Sequence, residues 1–311
     1  MADDRYSIHV LQRPFPEDFI AFYPYIKPEV LDKHIAWRSW LSRVVFDGVP
    51  GVRDLMVAAR DDESGEWVGV VWLSVSETSP ELAHFGWFHV DPRCQSLGVG
   101  ARIVDTCLET LGAAGVQMIM LPTQIENERA IGMYFRRGWR ITIAHPEGDV
   151  WMVREPDGLY ERTFTPDPAR PITASEPRPS DFVALDYLLA RPSAPIRLLP
   201  LGLVGSRRFV SFVHDWQGAR HAVARQDERP MAIAVDVEGD GGAKLDVFGI
   251  DRRAMVVALR EVAEGAAKPW AEVGASDRLR RAVFEELGFR MTGTRCETLA
   301  RAQMELCRYE L

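Results

Sequence analysis

The chain has 311 residues, 47% of them apolar, with 45 acidic against 37 basic side chains and a formal net charge of −8. That length suits two domains of about 150 residues rather than one, and the acidic balance counts against a nucleic-acid partner, which leaves a basic footprint. Four cysteines (Cys94, Cys107, Cys296, Cys307) lie far apart with no Cys-x-x-Cys pair, which argues against a disulfide framework or a zinc centre, so no metal is expected.

In chain order, Tyr6–Gln12 alternates as a strand, and helical patterns follow over Glu17–Ile26 and Val30–Phe46. Leu55–Arg60 and Trp67–Ser76 are strands flanking the turn Asp61–Glu66, and Leu82–Val90 is a third. A glycine loop then leads into a helix over Val99–Ala114, a strand over Gln117–Leu121 and a helix over Asn127–Arg137. Trp139–Ala144 and Val150–Arg154 form a closing hairpin. This order predicts an α/β domain on a mixed sheet. Between Pro156 and Asp181 six prolines stand among polar residues with no apolar period, the composition of a linker. The expected division is a first domain over 1–156, a proline-rich linker over 157–180 and a second domain over 181–311. No apolar run approaches the about 18 residues of a membrane span, and the N-terminus lacks a basic-then-apolar signal, so a cytoplasmic protein away from membranes is expected.

The loop is the most informative stretch. Val90-x-Pro92 ends a strand, and Gln95-x-x-Gly98-x-Gly100 opens a helix. The first amides of a helix have no internal partner and point outward with the positive end of its dipole behind them. Glycine lets an anion come close because no Cβ intervenes. The pattern therefore reads as a pyrophosphate cradle formed by Gln95, Ser96, Leu97, Gly98, Val99 and Gly100. Arg93 and Arg102 are available to add charge.

A second segment, Asn127-x-x-Ala130-x-x-Met133-Tyr134-x-x-x-Gly138-Trp139, lies about 30 residues further on. With the loop and the order of elements, it resembles the GNAT superfamily of acyl-CoA-dependent N-acyltransferases, over roughly residues 5–155. The resemblance implies acetyl-CoA, or another acyl-CoA, as co-substrate. It also implies direct attack of a primary amine on the thioester and a small-molecule amine acceptor. Gln95 stands where relatives carry Gln or Arg, and Trp139 where phenylalanine is usual. Val90 and Asn127 join the loop as coenzyme contacts, with Asn127 also suited to cap its helix. Tyr134 matches the tyrosine whose hydroxyl faces the thioester sulfur, and a phenol near pKa ~10 can donate to a thiolate near ~8.5.

The base is less defined. Relatives often carry a glutamate eleven positions before Gln95; here that position is His84, with Glu126 and His89 as weaker candidates. Alternation puts His84, Gly86, Phe88 and Val90 on one strand face. A neutral imidazole is a workable base. The acceptor pocket is expected from the first two helical stretches, an aromatic region that includes His34, and from the turn of the closing hairpin, with Phe22, Tyr23 and Tyr25 as candidates. Trp37, Trp40, Leu41, Val44 and Val45 instead fall at core spacing.

The second half echoes the first. An offset of 150 sets Gly288-Phe289 on Gly138-Trp139, Asp277 on Asn127 and Phe284 on Tyr134. Strands over His221–Gln226, Met231–Val237, Leu245–Phe248 and Trp270–Val273 and a helix over Arg252–Ala263 follow the same order. At that offset Leu245 replaces Gln95, and Phe248 and Ile250 replace the glycines. The expectation is two GNAT-like mixed-sheet α/β domains in tandem, the second without a coenzyme site and used to wall the acceptor cleft or to form a homodimer. Arg278, Arg280 and Arg281 read as a solvated helix face. Two other functions fit the resemblance: an aminoacyl-tRNA-dependent transferase and a non-catalytic acyl-CoA-binding protein.

Overall fold

Residues 5–23, 47–144, 148–191, 219–239, 241–299 and 302–311 are described by the computed structural model. They divide into two units, Met1–Arg140 with Trp151–Glu155, and Ile141–Val150 with Pro156–Leu311.

In the first half, β1 (Tyr6–Leu11) is followed by α1 (Glu17–Phe22), and β1 pairs with β2 (Val52–Asp61). β2 pairs with β3 (Trp67–Ser76), and β3 with β4 (Leu82–Val90). All three pairings are antiparallel. Every residue of β3 is buried, as its unbroken apolar run requires of a strand covered on both faces. Then come α2 (Val99–Ala113), β5 (Met118–Gln124), α3 (Glu128–Phe135), β6 (Arg140–Ala144) and β7 (Asp149–Arg154). The sheet order is β1-β2-β3-β4-β5-β7-β6, and β4 and β5 are parallel.

Two irregularities in β4 shape everything near it. It pairs with β5 only through Leu82, Ala83 and His84, opposite Met118, Ile119 and Met120. Nearer its end β4 also bulges, since Trp72 faces Gly86 but Val70 faces His89, so Trp87 and Phe88 stand opposite one residue of β3. Trp87 takes a left-handed φ of 53° to do so. The bulge shifts the alternation by one. Phe88 therefore shares a face with Phe85, their rings 5.6 Å apart, and a Cβ on Gly100 of α2 would sit 3.2 Å from Phe88. His84 lies over Gly86 on the opposite face, where a Cβ would meet its imidazole at 2.9 Å. Uniform alternation had grouped Phe88 and Val90 with His84; the bulge separates them.

The second half repeats this path. Its elements are α4 (Leu159–Phe164), β8 (Thr173–Ser175), α5 (Phe182–Leu189), β9 (Ala219–Gln226), β10 (Arg229–Gly239) and β11 (Gly242–Gly249). After them come α6 (Arg252–Ala263), β12 (Trp270–Gly274), α7 (Arg278–Glu286), β13 (Arg290–Leu299) and β14 (Ala302–Glu310). Read from β8 the order is β8-β9-β10-β11-β12-β14-β13, the first sheet's order shifted by seven, and β11–β12 is again parallel. The chain is thus two seven-stranded mixed-sheet α/β units in tandem.

The segment expected to be a linker contributes structure. Leu159, Tyr160 and Phe164 are buried in α4, and Ser175 of β8 pairs with Val223 of β9. The prolines flank these elements instead of interrupting them, so a count of prolines overlooks the apolar residues between.

Candidate active site

Between β4 and α2 the loop Asp91–Gly98 is folded by its own side chains. Asp91 accepts from Arg93 N at 2.8 Å and starts a 3₁₀ turn over Pro92–Cys94. Gln95 Nε2 donates to Val90 O at 3.1 Å, tying the loop to the strand end. Ser96 and Gly98 take φ of 70° and 84°, which turns the chain sharply into α2. Gly98 is the N-cap residue, no side chain accepts from the first amides of this 15-residue helix, and its first turn has no acid. Those amides are left for an external acceptor.

They open on a cavity of about 460 Å³. Its walls are the β4 end at Phe88, His89 and Val90, the loop and helix start at Gln95, Ser96, Gly98, Gly100 and Ala101, and the face of α3 and its flanks carrying Asn127, Arg129, Ala130, Met133, Arg136 and Arg137. A side chain on Gly98 would project into open space, whereas one on Gly100 would meet Phe88 at 3.2 Å and Val90 at 3.4 Å. Among the described residues, three arginines and a histidine line the cavity, and no aspartate or glutamate does. In a chain of charge −8 this is a concentrated positive surface, and it fits a polyanionic group such as a coenzyme diphosphate.

The predicted residues divide. Val90, Gln95, Ser96, Gly98, Gly100 and Asn127 come together at this cavity. Leu97 and Val99 do not line it: Leu97 is 50% exposed and Val99 is buried in the core. Arg93 is spent on Asp91 and Glu66, its guanidinium holding Asp91 below the usual carboxylate range. Arg102 is not among the lining residues. The cations present are Arg129, Arg136 and Arg137, which the motif reading passed over although their spacing of seven and eight puts them on one helix face with Ala130 and Met133. Arg129 Nη2 donates to Ser96 Oγ at 3.0 Å, and Arg137 fastens α3 to α2 through two bonds to Asp105 at 2.6 and 2.9 Å. Asn127 occupies the N-cap position of α3, but its side chain caps nothing; it donates to Thr123 Oγ1 at 3.5 Å. This helix start too is open toward the cavity.

Tyr134 and His84 lie outside the cavity wall. Tyr134 is buried with its ring 5.9 Å from Phe85 and 5.7 Å from Trp139. Burial pushes its pKa up, so the phenol stays protonated. The Gly138-Trp139 pair that follows is a Schellman stop: Gly138 N donates to Phe135 O, Trp139 N to Tyr134 O, and Gly138 has φ of 87°. Trp139 Nε1 then donates to Ile119 O at 3.1 Å, holding α3 on β5. His84, on the opposite sheet face at the last paired residue before β4 and β5 part, has its pKa lowered to about 4 by burial. Its imidazole is therefore neutral at neutral pH. Beside it in register stand Ser74 and then Asp54, whose carboxylate accepts from Ser74 Oγ, Trp72 Nε1 and Arg13 Nη2. His89 lines the cavity, and Glu126 is exposed away from it. Tyr23 is buried and Phe22 half-buried in a ring cluster around Phe19. Tyr25, His34, Trp37, Trp40, Leu41, Val44 and Val45 fall outside the described residues.

The corresponding place in the second unit is built differently. Because β11 is the counterpart of β4, its loop is missing rather than substituted. Only Ile250 and Asp251 separate β11 from α6, where eight residues separate β4 from α2. The fixed offset had set Leu245, Phe248 and Ile250 on the glycine loop; they belong to the strand and its end. Asp251 caps α6 by accepting from Ala254 N at 3.0 Å, and Asp277 caps α7 by accepting from Arg280 N at 3.0 Å. Arg280, expected on a solvated face, is buried and bonds Asp246 at 2.9 Å and Asp277 at 2.6 Å. Phe284 takes Tyr134's place without a hydroxyl, its ring 5.2 Å from Phe289.

A mixed α/β sheet thus sets its parallel central pair beside a glycine-led helix start and a cationic cavity. Residues 14–139 match the acetyltransferase (GNAT) family. The chain is 31% identical over 94 residues to the mycothiol acetyltransferase of Beutenbergia cavernae, covering 30% of this chain and 31% of that one. To the mycothiol acetyltransferase of Sanguibacter keddieii it is 32% identical over 107 residues, 33% of this chain and 31% of the other. The match thus spans about a third of each curated relative's length. Among solved structures, a GCN5-related N-acetyltransferase from Kribbella flavida aligns at 16% identity and a TM-score of 0.38, over 49% of this chain and 99% of its own. The PaiA N-acetyltransferase from Thermoplasma acidophilum, solved with coenzyme A, aligns at 13% identity and a TM-score of 0.37, over 48% and 99%. No helix among the described residues is long and apolar enough to cross a membrane.

Proposed function

We propose that the N-terminal domain, residues 1–156, binds acetyl-CoA or another acyl-CoA in the cavity between the glycine loop and α3, and moves the acyl group to a primary amine of a small molecule. The observation that carries this reading is the uncapped start of α2 inside a cavity that three arginines, and no carboxylate among the described residues, line. When bound, acyl-CoA supplies the thioester carbonyl that the amine attacks, with an amide and the free thiol as products. The amides from Gln95 to Gly100 hold the diphosphate, and Gly100 keeps the helix close to Phe88 and Val90.

Tyr134, kept protonated by burial, is the proposed donor to the departing sulfur. His84 is the proposed proton acceptor on the opposite sheet face. With a pKa of about 4 it is always neutral at working pH but weakly basic, so it acts as the new bond forms or through a water, not on a free ammonium. Proximity and desolvation then supply much of the rate. The C-terminal unit is proposed to have no coenzyme site, because the loop is missing and Asp251 and Asp277 already satisfy its helix starts. That two relatives are mycothiol acetyltransferases supports a small-molecule acceptor.

Calorimetry with acetyl-CoA tests the binding step. One molecule per chain is expected; two per chain removes the asymmetry between the units, and none removes the reading. A thiol-release assay over a panel of amines then tests transfer. Binding without turnover is a second reading, favoured by the absence of both Tyr134 and His84 from the cavity wall. It predicts heat but no thiol with any amine.

A further inference from the structure

The cavity carries more positive charge than its glycine loop requires. Loop amides and the α2 start serve a diphosphate by themselves. Of the three arginines, Arg137 is committed to Asp105 through two bonds. Arg129 rests on Ser96 Oγ and so stands beside the loop. Arg136 is exposed and makes no ion pair with any described residue. It lies seven residues after Arg129, two helical turns or about 10 Å along the same face. No carboxylate among the described residues lines the cavity to neutralise it. A cation kept unpaired on a rigid helix, well away from the diphosphate cradle, suits another anionic group on the same ligand.

We propose that Arg136 binds a third phosphate of the donor, separate from the diphosphate, so that the site selects the 3′-phosphorylated coenzyme over its dephospho form. This deepens the acyl-CoA reading and rests on it. A donor carrying only one phosphate on a pantetheine arm, as on a carrier protein, leaves Arg136 without a partner.

Calorimetry with free coenzyme A and with 3′-dephospho-coenzyme A, on wild type, Arg136→Ala and Arg129→Ala, tests the assignment without depending on turnover. Arg136 is exposed and unpaired, so its replacement leaves the fold intact, and circular dichroism checks this. Wild type is expected to prefer coenzyme A by about tenfold, the scale of one charge-assisted contact. Arg136→Ala should lose most of that preference while holding dephospho-coenzyme A within about twofold of wild type. Arg129→Ala should weaken both ligands alike. Equal wild-type affinities, a preference that survives in Arg136→Ala, or one that vanishes in Arg129→Ala instead overturns the assignment and leaves the coenzyme reading standing. Failure of wild type to bind either compound overturns the coenzyme reading itself.

Discussion

Helix α2 starts behind Gly98 with no side chain on its amides, whereas α6 starts behind Asp251, whose carboxylate accepts from Ala254 N. The next helix of each unit differs in the same way, with an idle Asn127 before α3 and a capping Asp277 before α7. Ala130 faces the first unit's cavity; at the same position in the second, Arg280 is buried between Asp246 and Asp277. Both units keep the sheet order, the parallel central pair and the Gly-aromatic helix stop. What distinguishes them is where the helix-start donors find their acceptors. Within the second unit they are satisfied internally by carboxylates, which is good for stability and closes the place to an anion. In the first they are left to water, or to a ligand that supplies the acceptor.

Removing the internal closure should have the largest effect. Arg280→Ala leaves Asp246 and Asp277 without their buried counter-charge, and breaking such a pair costs about 3–5 kcal/mol. Thermal melting should show the loss, with acetyl-CoA binding by the first unit unchanged. The sign of its pH dependence follows from Asp246, whose pKa burial already pushes up to about 6 with Arg280 beside it. Without Arg280 the carboxyl rises further. A group with a raised folded-state pKa stabilises the protein while protonated and loses that contribution as pH rises. The deficit of Arg280→Ala should therefore shrink as pH is lowered from 7 to 5; a deficit that grows contradicts the buried-charge account.

The counterpart in the first unit is Tyr134, where the second has Phe284. Making the two alike with Tyr134→Phe keeps the ring stack against Phe85 and Trp139 and removes only the hydroxyl. Turnover should fall by about 10²–10⁴ with acetyl-CoA affinity nearly unchanged, the signature of a lost acid. Unchanged turnover withdraws the catalytic role and leaves Tyr134 as packing.

Gly98→Asp gives α2 a carboxylate at the position where α6 has one. Nothing lies within 4 Å of a side chain at Gly98, so the charge enters the cavity and not the core. Like charge against a diphosphate costs several kcal/mol, so acetyl-CoA affinity should drop by about a hundredfold. Calorimetry measures it, and Gly98→Asn separates charge from the strain of a side chain at φ 84°.

Much of this was visible in the residues. The apolar run of Trp67–Ser76, the glycine loop and the Asn127-to-Trp139 segment each carry a local signature with a local cause, and each sits where the pattern put it. The misses come from interactions that composition does not show. Trp87 takes a left-handed φ with no glycine to announce it, so alternation misassigned the faces of β4. Arg280 reads as one of three surface arginines, and only Asp246, 34 residues earlier, explains its burial. Spacing by itself could have found Arg129, Arg136 and Arg137, had the helix face been read for charge as well as for motif residues.

The smallest effects concern the caps themselves. Asp251→Ala removes the bond to Ala254 N and should cost the second unit about 1 kcal/mol in melting. Asn127→Ala removes no cap, because the Asn127 side chain accepts from no amide of α3, so its stability cost should stay below about 0.5 kcal/mol. If Asn127 is held in reserve for the pantetheine arm, the same substitution should weaken acetyl-CoA binding several-fold. A residue that costs nothing in the free protein and something in the complex serves the ligand, whereas Asp251 serves the fold. A stability loss at Asn127 as large as that at Asp251 would mean both helices are capped alike in solution, and the contrast between the two units would then rest on the loop and Arg280 alone.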